Sequence, residues 1–287
     1  MKAGVVSRTD IPEAINVAKE ILKHLESLGV DVRVETDTAL ALNAPERNTD
    51  LSEMDVDFIV TVGGDGTILR AAMLMHDPET PILGVNLGRR GFLTEVTPSE
   101  AKLALSRILE GDYSLDECMK LSSCSPGHNG TFPDSLNEVL VASSLPSKIL
   151  DLRLNVDSEH IIDIQSDGII IATPTGSTAY SLSAGGSIIA PDVPAMIITT
   201  ICPYSYFRSL VAPLTSCITI ELLKPKADAL AIIDGRSHTA LKPRSVVEVQ
   251  ISPHRAKFIR FRSFYDRLKR RLAFQRIRDL EDRLHQS

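Results

Sequence analysis

The stretch "DFIVTVGGDGTILRAAMLM", residues 57–75, decides the fold. Asp57 to Val62 is apolar enough for a buried parallel strand and Ile68 to Met75 has helical spacing, so Gly63, Gly64 and Gly66 occupy a strand-to-helix turn. Upstream, "KAGVV" is a short β-branched run. "DIPEAINVAKEILKHLESLG" then reads as a helix, with Asp10 as N-cap, Pro12 in the first turn and Gly29 as the stop; its apolar face holds Ile15, Ala18, Ile21, Leu22 and Leu25. "VDVRV" alternates as a strand and completes a β-α-β beginning. Downstream, "PILGVN" is a further strand, and "TPSEAKLALSRILEG" opens with Thr97 and Glu100 spaced as a capping box around Pro98.

From about Tyr113 the pattern changes. "DLRLNVD", "HIIDIQ", "SCITIELL", "SVVEVQI" and "AKFIRF" are short alternating or β-branched runs separated by Pro, Asp, Ser and Gly. The tail "RSFYDRLKRRLAFQRIRDLEDRLHQS" returns to helical spacing through Phe264, Leu268, Leu272, Ile277, Leu280 and Leu284. The fold expected is an α/β N-terminal domain (1–112) with an all-β C-terminal domain (113–262), the C-terminal helix (263–287) packing back on the first domain. No internal repeat or low-complexity segment interrupts this order.

A chain of 287 residues with net charge −6 can bury proper cores and is not a general nucleic-acid binder. No run approaches the roughly 20 apolar residues of a membrane span, and "MKAGVVSRTD" lacks a signal-peptide core, so the cytoplasm is the expected compartment. Cys118, Cys124, Cys202 and Cys217 lack C-x-x-C spacing and read as reduced structural thiols. The 7 histidines are scattered without ligand spacing. The basic stretch Arg267 to Arg278 reads as the solvated side of an amphipathic helix.

The turn raises a chemical question. Glycines at a strand-to-helix junction let backbone N–H groups approach an anion, and the helix start adds a favourable dipole. The loop matches neither G-x-x-x-x-G-K-[ST] nor G-x-G-x-x-G, and it contains Asp65. A carboxylate beside phosphate is repelled unless it takes a proton from a hydroxyl or holds Mg²⁺; alternatively Asp65 is the helix N-cap. The turn alone does not separate these readings. A second cluster, "SDGIIIATPTGSTAYSLSAGG" at 166–186, puts Asp167, an apolar strand, a hydroxyl-rich turn and Tyr180 in one run that can bind ribose, base and phosphates.

Four motifs occur in order: "GGDGT" (63–67), "NLGRRGFLTEV" (86–96), "LNEVLVAS" (136–143) and "DGIIIATPTGSTAYSLSAGG" (167–186). In order and spacing they resemble NAD kinases over most of the chain. GGDG alone also resembles loops of phosphofructokinases and of diacylglycerol- or sphingosine-type lipid kinases; the fourth motif with the Asn-Glu pair is specific. The resemblance implies transfer of a γ-phosphoryl group from ATP or polyphosphate, with Mg²⁺ or another divalent metal, to the adenosine ribose 2′-hydroxyl of NAD. It implies Asp65 as proton acceptor, with Gly66 and Arg70 beside NAD. Asn137 and Glu138 contact the dinucleotide, Asp167 is a further carboxylate, and Thr178, Ala179, Tyr180, Ser181, Leu182 and Ser183 surround the adenosine. Lys148, Gln165 and Arg236 fall where variable side chains line the pocket. In this scheme residues 1–112 carry the catalytic loop and the phosphate donor, and 113–262 bind NAD. Members of the family are commonly homodimers or homotetramers, with no nucleic-acid or membrane partner.

The chain departs from the family pattern in two places. Arg89 and Arg90 replace small and apolar residues, and "CPYSYFRSLVAP" (202–213) carries Tyr204 where His is frequent, without an intact Arg-Pro pair. "IIDGRSH" restores the pattern at Asp234 and Gly235. The competing readings are a lipid kinase sharing the glycine loop and a non-catalytic dinucleotide sensor; the Asn137-Glu138 pair speaks against the first and an intact Asp65 against the second.

Overall fold

The computed structural model describes residues 1–88, 91–126, 132–223 and 228–270; Arg89, Arg90 and the tail beyond 270, with Leu272, Ile277, Leu280 and Leu284, lie outside them. In order, the elements are β1 (Lys2–Ser7), α1 (Pro12–Ser27), β2 (Asp31–Glu35), α2 (Thr36–Leu42), β3 (Asn48–Thr49), β4 (Phe58–Gly63), α3 (Asp65–Leu74), β5 (Ile82–Asn86), α4 (Pro98–Leu109) and β6 (Ser114–Cys124). There follow β7 (Glu138–Ser143), β8 (Leu150–Val156), β9 (Glu159–Ser166), β10 (Gly168–Ala172), α5 (Tyr180–Ser183), β11 (Ala195–Ile201), β12 (Ser209–Pro213), β13 (Ile218–Leu222), β14 (Ala229–Ile233), β15 (Ser237–Leu241) and β16 (Val246–Arg260). The chain forms two compact units: Met1–Glu117 with everything from Ala256 onward, and Cys118–Arg255.

The first unit is a parallel sheet in the order β3-β2-β1-β4-β5, to which the end of β16 adds through Phe258 opposite Ile82. All six residues of β4 are buried, the signature of a central parallel strand covered on both faces. Helix α1 buries Ala14, Ala18, Ile21 and Leu25 at helical spacing against a core that includes Val5, Val60 and Leu83. Burying Ile21 and Leu25 contributes about 1.5–3 kcal/mol each. Its N-cap is Ile11, not Asp10, because the Arg8 guanidinium takes the Asp10 carboxylate at 2.7 and 2.8 Å. Gly29 follows the C-cap Leu28, as the sequence suggests. The capping box of α4 forms, with Thr97 N–H donating to Glu100 at 2.9 Å.

Residues 264–270 are helical and tied to this unit. Arg267 pairs with Asp116 at 2.7 Å, and Phe261 N–H donates to the buried Glu95 carboxylate at 2.8 Å. Arg260, also buried, donates to the Leu93 carbonyl at 2.8 Å. Two buried charges of opposite sign, each with further hydrogen bonds, keep this return of the chain in one place.

The second unit is β-rich. A six-stranded antiparallel sheet runs β12-β11-β10-β7-β14-β15, and β16 pairs with β13, which pairs with β8 and β8 with β9. Ile170, Ala172, Ile189 and Ile197 form a core cluster on that sheet. "SVVEVQI" and "AKFIRF", expected as two strands, are one 15-residue strand, β16. Pro253 between them removes an N–H where the strand changes partner from β13 to β5, a position a strand proline can occupy.

Candidate functional site

Each of the two units builds its own group of polar side chains. In the first, β4 delivers the chain to Gly63, where an added Cβ would collide with the Thr67 side chain. Gly64 is the N-cap of α3, so Asp65 is its first helical residue and not the cap. Its carboxylate instead accepts three backbone N–H groups from the segment after β5: Phe92 at 2.8 Å, Leu93 at 3.1 Å and Thr94 at 3.4 Å. Such donors favour the ionised form and aim the carboxylate. Gly91 lies so near that an added Cβ would come within 2.5 Å of Asp65 Oδ1.

Arg70, expected beside the dinucleotide, is held by the protein itself. Its Nη1 pairs with Glu35 at 2.7 Å and its Nη2 donates to the Ser7 carbonyl at 3.3 Å. Burial pushes the Glu35 carboxyl up, but the hydrogen bonds from Arg70 and Thr38 outweigh it and leave the group below the usual carboxylate range. The ends of β1 and β2 and the helix after β4 are thereby joined. Arg8 N–H donates to Val62 O at 2.9 Å, which sets the Ser7–Asp10 loop beside the glycine turn. The strand order reverses between β1 and β4, and open α/β sheets bind ligands in the crevice at such a point.

In the second unit the peptide Leu136-Asn137-Glu138 is gripped from two sides. Asp234, in the turn between β14 and β15, accepts the N–H groups of Leu136 at 2.8 Å, Asn137 at 2.8 Å and Glu138 at 3.0 Å. Thr173 holds the carbonyls: its Oγ1 donates to Leu136 O at 2.6 Å and its N–H to Asn137 O at 2.9 Å. Gly176 packs directly on Asn137, and an added Cβ there would lie 2.6 Å from the Asn137 Cα. Ser177 accepts the Ile189 N–H at 2.9 Å and Ser181 pairs with Thr199 at 2.8 Å, so these two hydroxyls hold the hydroxyl-rich turn in shape. Thr178 is likewise turned inward, to Thr175 O at 2.9 Å. Tyr180 stays 44% exposed, leaving its ring face for stacking.

Glu138 is the electrostatic oddity. It is buried, its Oε2 has no hydrogen-bond partner, and burial first, then the Asp234 charge, push its pKa up to about 8. The folded protein thus holds a proton that the unfolded chain releases above about 4.5. The stabilisation that this proton gives is complete below that value and lost as pH rises through about 8. Glu138→Gln, neutral at every pH, is therefore expected to be more thermostable than the parent above pH 5. Its advantage grows by about 1.4 kcal/mol per pH unit until the folded-state pKa is passed. Melting curves of the two proteins that run parallel from pH 5 to 9 would refute this.

The other sequence-predicted residues divide by position. Glu138 lies opposite Ala172 and Ala142 opposite Gly168, so β7 and β10 have two distinct ends. Asn137, Glu138, residues 178–183 and the Asp234–Arg236 turn gather at one. Asp167, whose carbonyl accepts from Ser143 N–H, lies at the other with Gln165 and the exposed Lys148, about 13 Å along the strand. Gln165 is engaged with Asp151 at 2.7 Å. Sequence reasoning did not single out Thr173, Glu35 or Lys120, and took Asp234 only as a turn residue. Their signal, a lone polar residue in or beside an apolar run, is too common to stand out.

Residues 3–113 match the ATP-NAD kinase N-terminal domain family and residues 136–261 the ATP-NAD kinase C-terminal domain family. The NAD kinase of Methanothermobacter thermautotrophicus is 40% identical, with 95% of this chain and 96% of that protein aligned. That of Thermococcus gammatolerans is 42% identical over 91% and 94%. Yeast NADH kinase complexed with NADH superposes with a TM-score of 0.84 at 26% identity, covering 94% of this chain and 86% of that one. An NAD kinase from Archaeoglobus fulgidus in complex with ATP gives 0.78 at 28% identity, covering 96% and 99%. A glycine turn carrying Asp65, an Asn-Glu pair clamped beside a hydroxyl-rich turn, and this agreement along both units lead to one conclusion: the chain belongs to the NAD kinase family.

Proposed function

We propose that the protein transfers the γ-phosphoryl group of ATP to the adenosine ribose 2′-hydroxyl of NAD and so makes NADP. The observation that carries this reading is the glycine turn at the reversal of strand order, with the Asp65 carboxylate aimed by three N–H groups. Phosphoryl transfer needs positioning and charge stabilisation more than covalent help. Backbone N–H groups around Gly63, Gly64 and Gly66 receive the donor's phosphates, and Asp65 takes the proton of the attacking hydroxyl. A carboxylate accepts hydrogen bonds at about four positions, so the attacking hydroxyl would join or replace a donor on Asp65.

Mg²⁺ fits this arrangement. Among the described residues no three His, Cys, Asp or Glu are grouped to hold a metal, and Mg²⁺ carried by phosphates asks for only one or two carboxylates. When bound with the donor it would be carried by the phosphates and neutralise their charge, with Asp65 left to the attacking hydroxyl. The dinucleotide is received by Asn137, Glu138, Thr178, Ala179, Tyr180, Ser181, Leu182, Ser183 and Arg236. Lys148, Gln165 and Asp167 at the far strand ends, and Gly66 and Arg70 at the glycine turn, are assigned to dinucleotide binding as well. The reading includes a cytoplasmic homo-oligomer, dimer or tetramer; no helix among the described residues is long and apolar enough to cross a membrane.

Purified protein incubated with Mg²⁺, NAD and ATP, or inorganic polyphosphate as the alternative donor, is expected to form NADP, measured enzymatically. Phosphorylation of a diacylglycerol or sphingosine instead, or NAD binding without turnover, would sink the proposal. Asn137→Ala is expected to raise the NAD KM about tenfold or more with kcat little changed, the pattern of a lost ground-state contact. Calorimetry giving unchanged NAD affinity in a well-folded Asn137→Ala protein would remove the pair from the binding site.

A further inference from the structure

We propose that Asp234 is a positioning residue for dinucleotide binding: its buried carboxylate accepts three consecutive backbone N–H groups and so fixes the Asn137-Glu138 pair in place. The proposal rests on the reading that Asn137 and Glu138 receive NAD. Its first ground is geometric. One Asp234 carboxylate accepts three consecutive N–H groups, and Asp234 N–H in turn donates to the Glu138 carbonyl at 3.1 Å, so this turn and the start of β7 move as one body. Lengthening or shortening that side chain shifts both members of the pair together.

The second ground is the division of charge. Burial pushes the Asp234 pKa up, but three N–H donors and the buried Lys120 ammonium pull against it by stabilising the anion, support that Glu138 lacks. Lys120 also faces Asp134, and its pKa is lowered by burial against the pull of both acids. Glu138 has only the Tyr180 backbone N–H in its favour and an acid against it. Two buried acids whose charges repel do not readily both ionise. The proton therefore resides on Glu138, whose buried Oε2 has no hydrogen-bond partner within the protein, and in this proposal the bound dinucleotide supplies one. Its partner on the dinucleotide is an acceptor, a ring nitrogen or a carboxamide oxygen, and ionisation of Glu138 turns that contact into a repulsion between lone pairs.

The test is NAD affinity by calorimetry from pH 6 to 9.5, an interval in which NAD itself does not titrate. The parent protein is expected to bind evenly up to a break near 8 and then to weaken about tenfold per pH unit. Asp234→Asn preserves the shape and an accepting oxygen but removes the charge, so the break is expected at least one unit lower. Asp234→Ala is expected to weaken binding at every pH by releasing the three N–H groups. Glu138→Gln is expected to abolish the break. Should Asp234→Asn fail to fold, the Glu138→Gln arm decides, since a break that survives it is not due to Glu138. Flat affinity across the range in the parent, or an Asp234→Asn protein with the parent's break and affinity, overturns the proposal. Unchanged affinity in Asn137→Ala overturns instead the reading beneath it.

Discussion

Asp65→Asn is expected to lower kcat by about 10²- to 10⁴-fold while NAD affinity stays within a few-fold of the parent, because a general base contributes that much and acts on the reacting hydroxyl alone. Asn is the informative replacement. It keeps one oxygen, enough for the Leu93 and Thr94 N–H groups that Asp65 Oδ1 accepts, so the loop stays near its place at the loss of the Phe92 contact, but its amide cannot take a proton. A cap role would have tolerated Asn fully, and that role falls to Gly64. A kcat within tenfold of the parent, in a variant with the parent's melting temperature, would leave the carboxylate a loop anchor. A large loss of NAD affinity or thermal stability together with kcat would mean that the charge-assisted bonds to residues 92–94 hold the site open, and would count equally against the base.

Gly176→Ala is expected to cost about 3 kcal/mol or more of stability, a drop in Tm of roughly 6–12 °C, and to remove detectable NAD binding. The added Cβ falls on the Asn137 main chain, 2.6 Å from its Cα and closer still to its carbonyl, not on the movable end of a side chain. Relief requires the Thr173–Thr178 turn or the Leu136–Glu138 segment to shift. Both belong to the proposed dinucleotide site, and the second is fixed by Asp234. Thermal melting and equilibrium binding on the same preparation read both effects. A Gly176→Ala protein with the parent's Tm and NAD affinity would show that the two segments do not need to touch.

Where hydrophobic period and turn chemistry act within a dozen residues, they were legible in the chain. The strand-turn-helix of residues 57–75 and the capping box at Thr97 and Glu100 both reflect local interactions whose partners lie next to one another. Helix α2 and the strand β11, "AMIITTI", had no distinctive punctuation and were not anticipated. Asp10 was misread because a cap and an ion pair compete for one carboxylate, and only the position of the Arg8 guanidinium decides between them.

The motifs determined which residue types gather in the proposed sites: a carboxylate among glycines, an amide beside an acid, and a hydroxyl-rich turn. Tertiary structure alone decided what each of them is bonded to. Asp65 finds its donors 27 to 29 residues away, and Asp234 grips residues 96 to 98 positions distant. The protonation of Glu138 depends on burial and on a neighbouring charge that folding brings from that distance. A sequence specifies such groups by type, but hydrogen bonding and the dielectric around a charge are properties of position in space, and they exist only once the two ends of those loops have been closed.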